Sequence, residues 1–180
     1  MPHKLINRAH EKGVTLIEVL VTMIIIAIGL MGAATLQVTS LGSSQSAYFR
    51  SQASILAYDM ADRLRGNADR VVASSDFDNF SYTGGSVGAV PGCISQSVGC
   101  GGADLSDVDK LEWSQSLAGS SSKAGAFLLP GAEGSVTRKA GSNVFTVSVN
   151  WVENDWDEST GNKAIARKSF DLQFTIEQSS

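Results

Sequence analysis

The chain has 180 residues and 43% hydrophobic side chains, which is enough for one ordinary domain with a core of its own and a terminal appendage. Its net charge of −4 and its pI of about 5.1 give no general attraction to nucleic acid or to anionic lipid. Without residues 1–13, which hold three basic side chains and one acidic one, the net charge would be −6. Both histidines, His3 and His10, also lie in this segment. If it is removed, no histidine remains for catalysis or for a metal.

A long apolar run follows this basic segment. Val19–Leu36 is an 18-residue run whose only clearly polar members are Thr22 and Thr35. As a helix it would span about 27 Å, close to the hydrocarbon thickness of a bilayer. The next charge after it is Arg50. The positive-inside rule therefore predicts a cytoplasmic N-terminus and an exported remainder.

Ordinary export signals do not explain every feature of the basic N-terminal segment and the apolar run. The small residues Gly32–Ala34 could form a signal peptidase site, but the apolar run is longer than the 7–15 residues of a usual signal peptide. A plain signal anchor is a second interpretation, and the absence of a cysteine near the end of the run excludes a lipoprotein signal. Neither remaining interpretation explains Glu18, a carboxylate at the start of the apolar segment, where a charge is costly and indicates function.

The sequence of Gly13–Glu18, Gly-Val-Thr-Leu-Ile-Glu, offers a better explanation. It resembles the type IV prepilin processing site, in which a short basic leader ends in glycine and is followed by an apolar residue, Ser or Thr, Leu-Ile-Glu and a long apolar stretch. The resemblance implies cleavage between Gly13 and Val14 by a membrane aspartyl prepilin peptidase, with N-methylation of Val14. The usual residue after the glycine is Phe, whereas this chain has Val14.

Glu18 is the candidate residue for assembly. A lone carboxylate in an apolar filament core needs a cation, and every processed subunit would carry one in the N-terminal ammonium of Val14. Pairing with a neighbouring subunit would neutralise the carboxylate and fix the axial register. The alternative is a carboxylate that only marks the membrane interface.

The helical pattern continues beyond the apolar run. No proline occurs between Pro2 and Pro91, and apolar residues recur at spacings of three or four. This second half is amphipathic, and it is predicted to end near Gly66 and to reach about 80 Å from Val14 to Arg65. The residues of the apolar stripe are Phe49, Ala53, Leu56, Met60 and Leu64. The polar residues between them are interpreted as a solvated helix face, on which Asp59 and Arg63 are expected to form an i,i+4 pair.

Two further segments resemble the PilV family of type IV pilus minor pilins. These are Arg50–Asn67, with the sequence RSQASILAYDMADRLRGN, and Leu129–Ala132, with the sequence LPGA. The resemblance implies a non-enzymatic minor pilin that joins other minor pilins and the major pilin, helps to start pilus assembly at an inner-membrane platform, and can support a tip adhesin. It places the protein in the inner membrane with a periplasmic head before assembly, and in the extracellular pilus afterwards.

The head is predicted to combine a loop-rich part with a sheet. Residues 74–103 are interpreted as a long loop, and Asp104–Ala118 as a short helix capped by Ser106. Alternating apolar residues predict two antiparallel strands around Phe145–Trp151 and Phe170–Ile176. A third, shorter strand is expected at Gly134–Arg138, and a turn at residues 160–162.

Cys93 and Cys100 lie in the Gly/Ser-rich loop, with six residues between them. In an exported head a disulfide is expected, and in a reducing compartment two free thiols are the alternative.

The sequence therefore predicts an α+β, pilin-like fold in which a long N-terminal helix packs on a small antiparallel sheet. The expected divisions are a leader (1–13), a transmembrane or filament-core helix half (14–36), an amphipathic helix half (37–70), a loop-rich region with a short helix (71–130) and a sheet (131–180).

Other functions fit the sequence less well. A minor pseudopilin of a type II secretion system shares the processing site and the helix, and is the nearest alternative. A DNA-uptake subunit is disfavoured by the negative charge, and no nucleic-acid partner is expected. A secreted enzyme would need a catalytic site, but the sequence has no phosphate-binding loop and no metal-ligand spacing. Lys110 and Ser114 form only a weak pattern for a Ser/Lys catalytic dyad. The acidic segment Asp155–Gly161 does not match a calcium-binding EF-hand loop. No cofactor or metal is expected.

Overall fold

The structure is a computed structural model that describes residues 13–119, 129–157 and 162–177. It divides into two compact units, an N-terminal unit that ends at Ser44 and a head that begins at Gln45. The helices are α1 (Leu16–Gly66), α2 (Ala68–Ala73) and α3 (Ala103–Ala118), with a 3-10 turn at Gly92–Ser95, and the strands are β1 (Asn79–Tyr82), β2 (Glu133–Arg138), β3 (Val144–Asp157) and β4 (Asn162–Thr175).

The four strands form one antiparallel sheet in the order β1-β2-β3-β4. Strand alternation places Phe145, Val147, Val149 and Trp151 of β3 on one face, where none is more than 3% exposed. β4 is an edge strand, and its Phe170, Leu172 and Phe174 are only partly buried. The predicted strands are confirmed, and β3 and β4 extend further toward their connecting turn than the alternating pattern indicated. Of the predicted turn, residues 160 and 161 lie outside the described residues, and Asn162 is the first residue of β4.

The part of α1 inside the head covers the apolar face of the sheet. The predicted stripe is confirmed, because all five of its residues are buried and belong to one cluster with the strand residues. Such a helix is held in place by burial of one apolar face rather than by its intrinsic helix propensity. The α+β, pilin-like fold class is therefore confirmed.

The segment expected to be a single long loop contains a strand. Residues 79–82 form β1, in which Phe80 lies opposite Val136 of β2 and Tyr82 is buried. Residues 79–82 do alternate polar and apolar side chains, but four residues are the shortest stretch in which such alternation indicates a strand, and the surrounding Gly/Ser-rich sequence obscured the signal.

The predicted cap of α3 is wrong. α3 begins at Ala103, its N-cap is Gly102 with φ of 58°, and no side chain caps it. Ser106 lies one turn inside the helix and is fully buried. Glycine is suited to this position because φ is in the left-handed region.

Arg63 joins α1 to α3. It was expected on a solvated helix face, but its side chain is only 21% exposed and is hydrogen-bonded to three carboxylates. The distances are 3.1 Å to Asp59, 3.2 Å to Asp109 and 2.9 Å to Glu112. Burial raises the pKa of Asp109, while the hydrogen bond from Arg63 opposes the shift. The predicted Asp59–Arg63 pair is thus part of a larger network that fixes α3 against α1.

Arg138 makes a second network that the sequence did not reveal. Its guanidinium donates to the carbonyl oxygens of Val72 at 3.2 Å and Ser142 at 2.8 Å, and to Asn143 Oδ1 at 2.7 Å. One side chain at the end of β2 therefore satisfies backbone carbonyls of α2 and of the β2–β3 turn.

Candidate processing and assembly site

The first described residues show where α1 begins. Gly13, Val14 and Thr15 are not helical, so the helix starts at Leu16, two residues later than the sequence predicted. The Thr15 carbonyl accepts hydrogen bonds from the amides of Glu18, at 3.1 Å, and Val19, at 3.3 Å. The Thr15 hydroxyl oxygen also accepts from the Glu18 amide at 3.4 Å. Thr15 therefore occupies the N-cap position, and the expected cleavage bond lies outside the helix.

The sequence analysis did not identify Thr15 as the N-cap of α1. The signal was present, since Thr15 and Glu18 have the Thr-x-x-Glu spacing of a capping box at the start of an apolar run. The motif was interpreted only as part of a processing site, although the same residues also specify a helix boundary.

Glu18 lies in the first turn of α1, where the helix dipole favours a carboxylate. Within residues 13–44 it is the only ionisable side chain. Any cation that neutralises it in an apolar environment must therefore come from outside this segment or from a new N-terminus.

The surface of α1 in the N-terminal unit suits lipid or other helices. Every residue from Leu16 to Ser44 is exposed, including a nearly continuous set of large aliphatic side chains. Within the described part of the chain, α1 is the one helix long and apolar enough to cross a membrane. Hydroxyl groups in this half can be satisfied within the helix, because Thr22 donates to the Val19 carbonyl at 2.8 Å and Thr35 to the Met31 carbonyl at 3.0 Å.

The two cysteines form a disulfide in the structure. Their Cα atoms are 5.0 Å apart, Cys93 lies in the 3-10 turn, and its side chain is buried. The bridged loop exposes aliphatic side chains, with Val98 at 93% and Ile94 at 50%. The bridge therefore constrains a segment that contributes few side chains to the core.

The remaining sequence candidates have structural roles. Lys110 Nζ lies 2.9 Å from Asp107, and the Ser114 hydroxyl donates to the Lys110 carbonyl at 2.7 Å, so the two side chains do not form a dyad. Trp113 and Trp151 are buried and belong to the hydrophobic core. Over residues 13–119, 129–157 and 162–177, no group of three His, Cys, Asp or Glu side chains is placed to hold a metal ion.

Comparison with known proteins supports the class that these features define. Residues 8–34 match the family model of the prokaryotic N-terminal methylation motif. No curated protein and no solved structure matches the chain. The motif supports a type IV pilin or pseudopilin in general, a structural class whose members are processed by a prepilin peptidase and assemble with other pilins. Together with the apolar helix, it fits anchoring in the inner membrane.

Proposed function

We propose that this chain is a minor pilin of the PilV family, incorporated in type IV pili after cleavage between Gly13 and Val14 and N-methylation of Val14. The observation that carries the pilin part of the proposal is the methylation motif at residues 8–34, which covers the start of an exposed apolar helix. The proposed divisions are those predicted above, from a leader at residues 1–13 to a sheet at residues 131–180.

The assembly mechanism uses the two halves of α1 differently. The apolar half leaves the membrane and bundles with the same half of neighbouring subunits, where lipid and helix offer similar apolar surroundings. The amphipathic half keeps its apolar stripe on the sheet and carries the head on the outside of the filament. Glu18 pairs with the Val14 ammonium of a neighbouring subunit, since a lone carboxylate in such a core costs several kcal/mol.

The choice of the pilus over a secretion pseudopilus depends on the PilV-like segment Arg50–Asn67. Its partners on this proposal are other minor pilins, the major pilin, the prepilin peptidase, the inner-membrane assembly platform and a tip adhesin. The head is periplasmic before assembly and extracellular afterwards. A minor pseudopilin of a type II secretion system is the second candidate, favoured by the same motif.

Intact-mass analysis of sheared pili, combined with quantitative proteomics, tests the proposal. We expect a mature chain that begins at Val14, is methylated, and is far less abundant than the major subunit. Deletion of the gene should reduce the number of pili without changing the helical build of those that remain.

Three results would contradict this assignment. A mature start near Thr35 would indicate an ordinary secretory signal. Abundance equal to the bulk subunit would indicate a major pilin. Absence from pili, with loss of secretion in the deletion strain, would indicate a pseudopilin.

A further inference from the structure

The N-terminal boundary of α1, at Leu16, lies two residues after the expected cleavage bond between Gly13 and Val14. The carbonyl and hydroxyl oxygens of Thr15 both accept a hydrogen bond from the Glu18 amide. Gly13 and Val14, which precede Thr15, have non-helical backbone. A residue at an N-cap has non-helical backbone, so a cap at Thr15 keeps the helix from including the two residues before it. The chain has a competing cap in Gly13, a residue type that caps helices about as well as threonine.

We propose that Thr15 is a positioning residue for prepilin processing: its hydroxyl caps α1 at Leu16 and thereby holds the Gly13–Val14 bond in non-helical backbone for the peptidase. This inference rests on the proposed function. A helix that started at Val14 instead would place the cleavage bond at its own boundary and would use the neighbouring carbonyl groups in intrahelical hydrogen bonds. The peptidase would then cut only the fraction of molecules in which that turn is open, because cleavage of a locally opened state follows its population.

The capping explanation differs from direct recognition of the threonine in its prediction for other side chains. Ser and Asn cap helices at least as well as Thr, whereas Val and Ala cap poorly. Val keeps the shape of Thr and loses the hydroxyl, and Asn changes the shape and keeps an acceptor oxygen. If a peptidase pocket recognises the shape of threonine, the Val variant should therefore be cut faster than the Asn variant. If capping matters, the Asn variant should be cut faster than the Val variant.

The test is a pulse–chase measurement of precursor conversion in cells that express the prepilin peptidase. The full-length variants are Thr15→Ser, Thr15→Asn, Thr15→Val and Thr15→Ala. Thr22→Val is the matched control, because the Thr22 hydroxyl donates to a carbonyl within the helix and caps nothing. We expect the Ser, Asn and control variants to be cut within about twofold of the wild-type rate, and the Val and Ala variants about fivefold more slowly, which is the factor that corresponds to loss of one typical cap.

A second readout separates capping from substrate contact. In detergent micelles, hydrogen exchange of the Glu18 amide should be faster in the Val and Ala variants than in the wild type and in the Ser and Asn variants. Wild-type cutting of Thr15→Val, or slow cutting of Thr15→Asn with a protected Glu18 amide, would overturn the proposal. If the wild-type chain is not cut after Gly13 at all, the proposed function itself fails.

Discussion

Replacement of Gly134 by alanine should loosen the contact between α3 and the sheet. Gly134 is a buried residue of β2, and a Cβ atom there would lie 2.3 Å from Trp113 Cη2 and 2.6 Å from Leu117 Cδ1. Since carbon atoms pack at about 3.5–4.0 Å, one side must move by about 1 Å. Trp113 cannot move freely, because it is fully buried and its Nε1 donates to the Leu56 carbonyl at 2.9 Å.

The expected loss of stability has two parts. Overpacking of a filled core costs about 1–3 kcal/mol, and a stretched buried hydrogen bond adds about 1 kcal/mol. Gly134→Ala should therefore lower the free energy of unfolding by about 2–4 kcal/mol, a large part of the 5–15 kcal/mol of a typical domain. The near-ultraviolet circular dichroism from Trp113 should weaken at the same time.

Urea unfolding of the full-length protein in detergent, followed by tryptophan fluorescence, measures the effect. Gly88→Ala is the matched control, because Gly88 is exposed and a Cβ there would meet nothing within 4 Å. It should stay within about 0.5 kcal/mol of wild type. In the double variant Gly134→Ala/Leu117→Ala the two losses should be less than additive, since the second change removes one of the clashing groups. An unchanged midpoint for Gly134→Ala, with an unchanged Trp113 signal, would refute the close approach of α3 to β2.

Three further predictions concern the disulfide, the proposed assembly role of Glu18 and the response to acid. The disulfide of Cys93 and Cys100 should protect both thiols from alkylation in native pili, and its removal should cost about 2–3 kcal/mol at most; free alkylation without a reductant would contradict it. Glu18→Ala and Glu18→Gln should both be cleaved and inserted in the membrane but should enter pili poorly. Gln suits a capping box as well as Glu does. Normal incorporation of the Gln variant alone would therefore show that Glu18 acts through helix capping and not through its charge. The hydrogen bond from Arg70 lowers the pKa of Asp76, so the pair stabilises the fold above the ordinary aspartate pKa and loses this contribution as the pH falls through the lowered value. The difference in unfolding free energy between wild type and Asp76→Asn, measured by urea titration from pH 7 to pH 2, should therefore shrink toward acid, and a constant difference would contradict the assignment.

The sequence by itself determined the elements whose signal is local and repeated. The apolar run, the stripe from Phe49 to Leu64 and the alternation in β3 and β4 each repeat one period over many residues, so a single chain segment carries enough information to predict them. The processing motif is also contiguous, and a family model recognises it. Thr15 shows the limit of such a match, because a short motif can specify a recognition site and a helix boundary at the same time.

Only the tertiary structure decided the features that join distant segments. β1 is a strand because β2 lies beside it, and Gly134 is required because the Trp113 ring packs on it. Arg63 was interpreted as solvated since its neighbours on α1 are polar, yet Asp109, 46 residues later, completes its network. Such contacts depend on which surfaces meet after the chain has folded. The residues next to a side chain in the sequence do not indicate which distant residue it will contact.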